Sequence, residues 1–174
     1  MLVGVAVDAD PRVALRPVTT PAERAVIERL YPLYLHDLSA FTEYYDLDSA
    51  GRWVPDHLPT WLSSDRCSPF LVTADGRVAG LALVAHAGFP FVPPGPDHTM
   101  GEFFVVARQR RRGVGQRAAV LAFEAFPGRW RVEQLRRNTG ATDFWRRVID
   151  DHTGGRYEEA APYGHPVQTF TTPG

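Results

Sequence analysis

The stretch RQRRRGVGQRA, Arg108 to Ala118, packs a run of arginines and two glycines between an apolar strand-like segment and an apolar helix-like one. Backbone N–H groups at a helix N-terminus, opened by residues without a Cβ, form a concave anion site, and arginine adds charge that suits phosphate. Gly113 and Gly115 would let the chain approach a diphosphate closely. The pattern is not a P-loop, because the Gly-Lys-Ser/Thr ending is missing. Nor is it the dinucleotide fingerprint, because a third glycine is absent. A solvated basic turn and a nucleic-acid contact are the other readings of the same residues.

Other reactive chemistry is narrowly bounded. All 19 basic residues are arginine, which removes lysine Schiff-base catalysis. Cys67 stands alone, so no intramolecular disulfide forms, and no Cys/His cluster has the spacing of a metal site. A net charge of −1 gives no global field for a polynucleotide, so the expected partner is not a nucleic acid. A nucleic-acid role for the arginines would require strongly salt-dependent binding. The short apolar run at the N-terminus has no basic flank and is too short to span a membrane, so a cytoplasmic protein without membrane association is expected.

These candidate residues need elements to hold them. A chain of 174 residues, 44% hydrophobic, builds one sizeable core, and a single domain over 1–174 is expected. An extended segment at Val13 to Val18 precedes a helix capped by Thr20 and Pro21, apolar at Ala25, Val26, Leu30 and Leu33. From Tyr31 to Trp61, Pro55 and Pro59 interrupt an aromatic-rich stretch read as short helices and loops. Phe70–Thr73 and Val78–His86 flank Asp75-Gly76 as an antiparallel hairpin, and FPFVPPGPDH is a loop. Met100 to Val106 reads as a buried strand that enters the arginine-glycine turn and then a helix from about Gly115 to Phe126. A strand from Arg129 to Leu135 follows. After it come a helix beginning after Asn138, with Ala141, Phe144, Trp145, Val148 and Ile149 as one stripe, and two final strands near Arg156–Ala160 and Val167–Thr171.

EFFVVARQRRRGVGQRA, with Arg110, Gly113 and Gly115 in an Arg-x-x-Gly-x-Gly turn, resembles the signature segment of the GNAT superfamily of acyl-CoA-dependent N-acyltransferases. NTGATDFW, with Asn138, Ala141, Phe144 and Trp145, resembles a second segment of that family. The resemblance implies an α+β fold, a central, mostly antiparallel twisted sheet flanked by helices and splayed at the acyl-CoA cleft. It also implies acetyl-CoA as acyl donor, no metal, and a small-molecule or peptide amine as acceptor, in a monomer or homodimer. Turn amides at Gly113, Val114, Gly115 and Gln116 would hold the pyrophosphate. Arg108, Arg110, Arg111 and Arg112 would offer charge to the pyrophosphate and 3′-phosphate, with only one or two of them touching cofactor. A backbone N–H at Val105 or Val106 would polarise the thioester carbonyl, a role worth ~10²- to 10³-fold for one donor. Asn138 either contacts cofactor or simply caps its helix.

Amine attack needs a base. Glu102 is the first candidate, the alternative being a strand-end carboxylate in water, and Glu133 is the second; His86 and His98 are further options. Trp145 departs from the family pattern, in which many members carry tyrosine to protonate the leaving thiolate. An indole N–H cannot do so. Tyr157, Tyr163 or water would then serve, or the chain binds acyl-CoA without turnover. Asp37, Glu43, Asp46, Asp48, Asp56 and Asp65, among aromatic residues, suggest an acidic wall for a cationic amine, or alternatively a solvated face beside a core. Cys67 lies outside both segments, which favours direct transfer over a covalent enzyme intermediate.

Overall fold

Asp75 and Gly76 both hold positive φ, 51° and 76°, the backbone that lets a two-residue hairpin follow the twist of its strands. They join β4 (Cys67–Ala74) to β5 (Arg77–His86) at the Asp-Gly pair. The structure, a computed structural model, describes residues 10–173, and the apolar run at the N-terminus lies outside them.

Around this hairpin the chain adds β1 (Val13–Pro17), β6 (His98–Val105), β7 (Gly128–Glu133), β8 (Tyr157–Ala160) and β9 (Val167–Thr172). The seven strands form one sheet in the order β1-β4-β5-β6-β7-β9-β8. Every neighbouring pair is antiparallel except β6 with β7. The parallel pair needs a crossover, which α3 (Val114–Ala125) supplies. One face of the sheet packs on α3 and α4 (Thr139–Thr153) through Phe123, Trp130, Val148, Ile149 and Phe170. The other packs on α1 (Pro21–Ser39) and α2 (Leu58–Ser63) through Ile27, Tyr31, Leu35, Trp61, Leu81 and Leu83. The fold is therefore the expected α+β one, a mostly antiparallel sheet between helical layers.

Helix α1 departs from the reading of its sequence. Thr20 and Glu23 form a capping box at its start, as the Thr-Pro signal suggests, but the helix continues through Pro32 to Ser39 instead of breaking up after Tyr31. A proline inside a helix costs about 3 kcal/mol. Burying Ile27, Tyr31 and Leu35, all at or below 2% exposure, returns about 1.5–3 kcal/mol for each aliphatic chain. That stripe, spaced by four, wins over the Val26–Leu30–Leu33 pattern, and Leu33 is left 52% exposed. The following stretch also holds a small hairpin, β2 (Asp46–Leu47) with β3 (Trp53–Val54), that the sequence did not announce.

Two irregularities in β6 decide where the site lies. β6 pairs with β7 only at His98↔Trp130, Thr99↔Arg131 and Met100↔Val132, then runs on to Val105 along β5 alone. The two strands part there. Against β5, Leu83 faces Glu102 while Val84 faces Met100, so Gly101 is an extra residue bulged out of β6. Because side chains alternate along a strand, one inserted residue moves everything after it to the opposite face. Met100 points into the α3/α4 core, and Glu102 consequently points toward α1 and α2. An ordinary side chain at Gly101 would overlap the Trp61 ring.

Candidate active site

Where β6 and β7 part, a cleft of about 810 Å³ opens, lined from β6 by Thr99 to Phe103, from β7 by Arg131 to Glu133, and beyond it by Asn138 and Trp145. Its far wall comes from α1, α2 and the loops near them. Glu102 lies at its floor and is only 7% exposed. The Tyr31 hydroxyl donates to Glu102 Oε1 at 3.3 Å. Burial pushes the Glu102 carboxyl up to about 7, while hydrogen bonding from Tyr34, Tyr31 and Trp61 works the other way. For Trp61 this is a near approach, since no partner meets bonding geometry at its buried Nε1. A carboxyl half ionised near neutral pH, buried at the floor of a cleft, is suited to taking a proton. The strand-end carboxylate in water is therefore not what β6 presents.

Glu133 also lines the cleft, on its β7 side, but it is paired: Arg131 Nη2 lies 2.6 Å from its Oε2 and His165 Nδ1 3.7 Å from its Oε1. His86 and His98 lie outside the cleft. Their Nδ1 atoms are 3.0 Å apart, His86 Nε2 is 2.8 Å from Ser68 Oγ, and His98 Nε2 is 3.2 Å from the Pro127 carbonyl. Cys67 is buried, and its thiol is pushed up to about 12 by burial first and the Glu102 charge second. Such a thiol is a poor nucleophile.

The glycine turn follows β6. After a short 3-10 turn at Ala107–Gln109, Arg111 and Gly113 take left-handed backbone, φ 59° and 74°, and α3 begins at Val114. No side chain caps that end, so the first-turn amides of Val114, Gly115 and Gln116 have no partner within the helix. The two glycines act differently. A Cβ on Gly113 would meet nothing, so its positive φ is what favours glycine, whereas a Cβ on Gly115 would stand 3.3 Å from the Phe144 ring and 3.7 Å from Val105 Cγ2. Gly115 thus lets α3 sit close to α4 and to the end of β6.

The arginines divide. Arg110 turns away from the turn's amides: its Nε donates to the Val105 carbonyl at 2.7 Å, its Nη2 pairs with Asp37, and its guanidinium lies 5.5 Å over the Phe104 ring. It ties the end of β6 to the end of α1. Arg111 is exposed at the turn, and Arg112 Nη1 donates to Gln109 Oε1 at 3.3 Å. Gln116 Nε2 donates to Asp151 Oδ2 at 3.2 Å. The Val106 N–H donates to the Ala79 carbonyl at 2.9 Å; strand alternation then turns the Val105 N–H toward the open side. Asn138 accepts from the Ala141 N–H at 3.1 Å, the capping role its residue type permits. Trp145 is buried against Phe103 and Phe144 while lining the cleft.

The expected proton donors are elsewhere: Tyr163 is 98% exposed and Tyr157 packs beside the α3/α4 core. Tyr34, Tyr44 and Tyr45 line the cleft instead. The acidic wall is also elsewhere, because none of Asp37, Glu43, Asp46, Asp48, Asp56 and Asp65 lines the cleft. Asp37 engages Arg110, Asp48 engages Arg52, and Asp46 and Asp56 accept from nearby backbone N–H groups. Sequence reasoning missed Thr99 and Gln134. Among the described residues the buried polar side-chain atoms without a partner are Trp61 Nε1, Thr99 Oγ1 and Gln134 Oε1, and all three residues line this cleft. Buried polar atoms are ordinarily satisfied, so a cleft that holds three unsatisfied ones has the chemistry of a ligand site. Gln134 Nε2 donates to Gln168 Oε1 at 2.8 Å, and Gln168 Nε2 donates to Glu159 at 2.7 Å; this chain leaves Gln134 Oε1 as the acceptor. Among the described residues no group of three or more His, Cys, Asp or Glu is placed to hold a metal ion, and no helix is long and apolar enough to cross a membrane.

Residues 27–149 match the Acetyltransferase (GNAT) family. No curated protein sequence matches the chain. Among solved structures, an acetyltransferase from Thermus thermophilus superposes with a TM-score of 0.63 at 18% identity, covering 92% of this chain and 97% of that one. Mycobacterium smegmatis RimJ in complex with CoA-disulfide gives a TM-score of 0.57 at 20% identity, covering 91% and 81%. A Bacillus subtilis acetyltransferase in complex with CoA gives 0.54 at 12%, covering 94% and 99%. At these identities the likeness is one of fold.

Proposed function

The chain belongs to the GNAT family of acetyltransferases, acyl-CoA-dependent enzymes, and from that membership we propose that it is an acetyl-CoA-dependent N-acetyltransferase acting on a primary amine by direct transfer. The observation that carries this reading is Glu102, a carboxyl pushed up to about 7 at the floor of the cleft where β6 and β7 part. When bound, acetyl-CoA supplies the acyl group as a thioester. The residues fit it: the cleft holds unsatisfied Thr99 Oγ1 and Gln134 Oε1, and the turn leading to α3 has uncapped amides.

Gly113, Val114, Gly115 and Gln116 would hold the pyrophosphate through backbone N–H groups, with Arg111 and Arg112 adding charge. Arg110 serves by positioning, since its bond to the Val105 carbonyl orients the peptide at the end of β6. The Val105 N–H is the donor to the acyl carbonyl, Val106 being committed to Ala79. Asn138 holds the start of α4, and Trp145 shapes the wall of the cleft. Glu102 takes the proton that the amine nitrogen loses on forming its bond to the acyl carbon. As the thioester C–S bond breaks, the departing thiolate would take its proton from water or from a phenol lining the cleft, where Tyr34, Tyr44 and Tyr45 stand; burial first and the Glu102 charge second raise Tyr34 and Tyr45, which stay protonated at neutral pH. Cys67 has no part, which supports a single displacement.

The test is release of CoA thiol from acetyl-CoA across a panel of primary amines, with initial-rate patterns and a rapid-mix search for a burst. Amine-dependent release, intersecting patterns and no burst are expected. A burst of free CoA without amine, or parallel patterns, would mean a covalent route. Binding of acetyl-CoA without turnover of any amine would mean a non-catalytic acyl-CoA-binding module.

A further inference from the structure

The wall of the cleft formed by α2 and the loops beside it is a ladder of rings. Tyr44 stacks on His57 at 5.9 Å and 20°, His57 meets Phe91 edge-on at 4.9 Å, and Phe91 meets Trp61 at 6.1 Å. All four residues line the cleft. The Tyr44 hydroxyl and His57 Nε2 are 2.8 Å apart, which fixes the outer rung. The ladder begins in water, with Tyr44 58% and Phe91 48% exposed, and ends on buried Trp61 beside Glu102. Large rings left exposed at the mouth of a cleft mark a surface that an apolar ligand covers.

The charges around it are as informative. Glu102 and Glu133 are the carboxylates that line the cleft, and Glu133 lies across it in contact with Arg131 and His165. The acceptor face thus holds one carboxylate. A polyamine would bring several cations to a face with one carboxylate, and most of an aminosugar's hydroxyls would meet ring faces instead of polar partners, a loss only partly compensated. An amine on a flat aromatic body instead brings one nitrogen to Glu102 and its ring to the ladder, where ring–ring contacts add to area burial. At the inner end the buried Trp61 Nε1 approaches Glu102 without meeting bonding geometry, so the last rung of the ladder and the carboxylate share one corner of the cleft.

We propose that the acceptor is a primary amine carried on an aromatic body, bound with its ring along Tyr44, His57, Phe91 and Trp61 and its nitrogen at Glu102. This rests on the N-acetyltransferase reading. The experiment compares kcat/KM for 2-phenylethylamine and 1-naphthylmethylamine with those for n-butylamine, spermidine and glucosamine at saturating acetyl-CoA. The aryl amines should exceed the others by about tenfold or more, the discrimination one good apolar subsite gives. Phe91→Ala and Tyr44→Ala, both at exposed positions, should draw the aryl-over-alkyl ratio toward one. Preference for spermidine or glucosamine, or an unchanged ratio in both variants, overturns the inference and leaves the acetyltransferase reading intact. Should no amine turn over, calorimetry of 2-phenylethylamine with the CoA-saturated protein decides. Saturable binding that Phe91→Ala weakens upholds the aromatic site although the transfer reading fails, and no binding overturns it.

Discussion

Replacing Glu102 with glutamine should make the protein more stable and less active at the same pH. The carboxyl is buried and pushed from 4.5 to about 7, so the folded state holds its proton more tightly than the unfolded chain does. The stability from that proton is fully present below the ordinary carboxylate value and is lost as pH climbs from about 4.5 to about 7, a total of about 3 kcal/mol. Glutamine is nearly isosteric, can still accept from Tyr31, and never ionises. Urea melts should therefore show Glu102→Gln gaining up to about 3 kcal/mol on wild type between pH 4 and pH 8, with little difference at the acid end. Over the same range wild-type kcat/KM should rise through a limb near 7, falling about tenfold per unit below it, because only ionised Glu102 accepts a proton. The variant should lose that limb and ~10²- to 10⁴-fold in rate. A stability difference that does not change with pH, or a limb that survives the substitution, would refute the reasoning.

Gly115→Glu places a carboxylate at the start of α3, with its Cβ 3.3 Å from Phe144. Calorimetry should find acetyl-CoA bound at least about tenfold more weakly, since like charge would be brought to the proposed phosphate site, while circular dichroism stays native. Unchanged affinity would place the phosphates elsewhere. Asn138→Ala removes the cap on α4 and should cost about 1 kcal/mol in urea melts; a loss of acetyl-CoA affinity out of proportion to that would give Asn138 a direct contact. Gly101→Ala sets a methyl where the Trp61 ring lies, so tryptophan fluorescence and the KM for amine should both change, with the KM for acetyl-CoA moving less. An unaltered amine KM would detach Trp61 from the acceptor site.

What the chain reveals before folding depends on how local the cause is. The Asp75-Gly76 hairpin and the turn at Gly113 and Gly115 are legible because a positive φ or a missing Cβ is a property of one residue. Helix α1 is not, since its passage through Pro32 is decided by what Tyr31 and Leu35 bury across the sheet. Glu102 is visible as a carboxylate in an apolar strand, but its face is set by the bulge at Gly101, and nothing in MGEFFVV declares a bulge. Arg110 looks like one phosphate ligand among several, and only the fold brings Asp37 to it. Thr99, Trp61 and Gln134 carry no signal at all, because an unsatisfied atom is defined by neighbours distant in sequence. Three unpartnered atoms in one cleft would be a signal in any structure.

If the glycine turn and the parted strands together bind acetyl-CoA, thermal unfolding in the presence of acetyl-CoA, CoA, ATP or a short oligonucleotide will read it out. At 100 times its dissociation constant a ligand stabilises the folded state by about 2.7 kcal/mol, a shift of roughly 5–11 °C for a chain of this size. Such a shift is expected with acetyl-CoA and CoA, none with ATP or the oligonucleotide, and one cut to about half or less in the Gly115→Glu variant. No shift with either coenzyme, or an equal shift with the oligonucleotide, would contradict it.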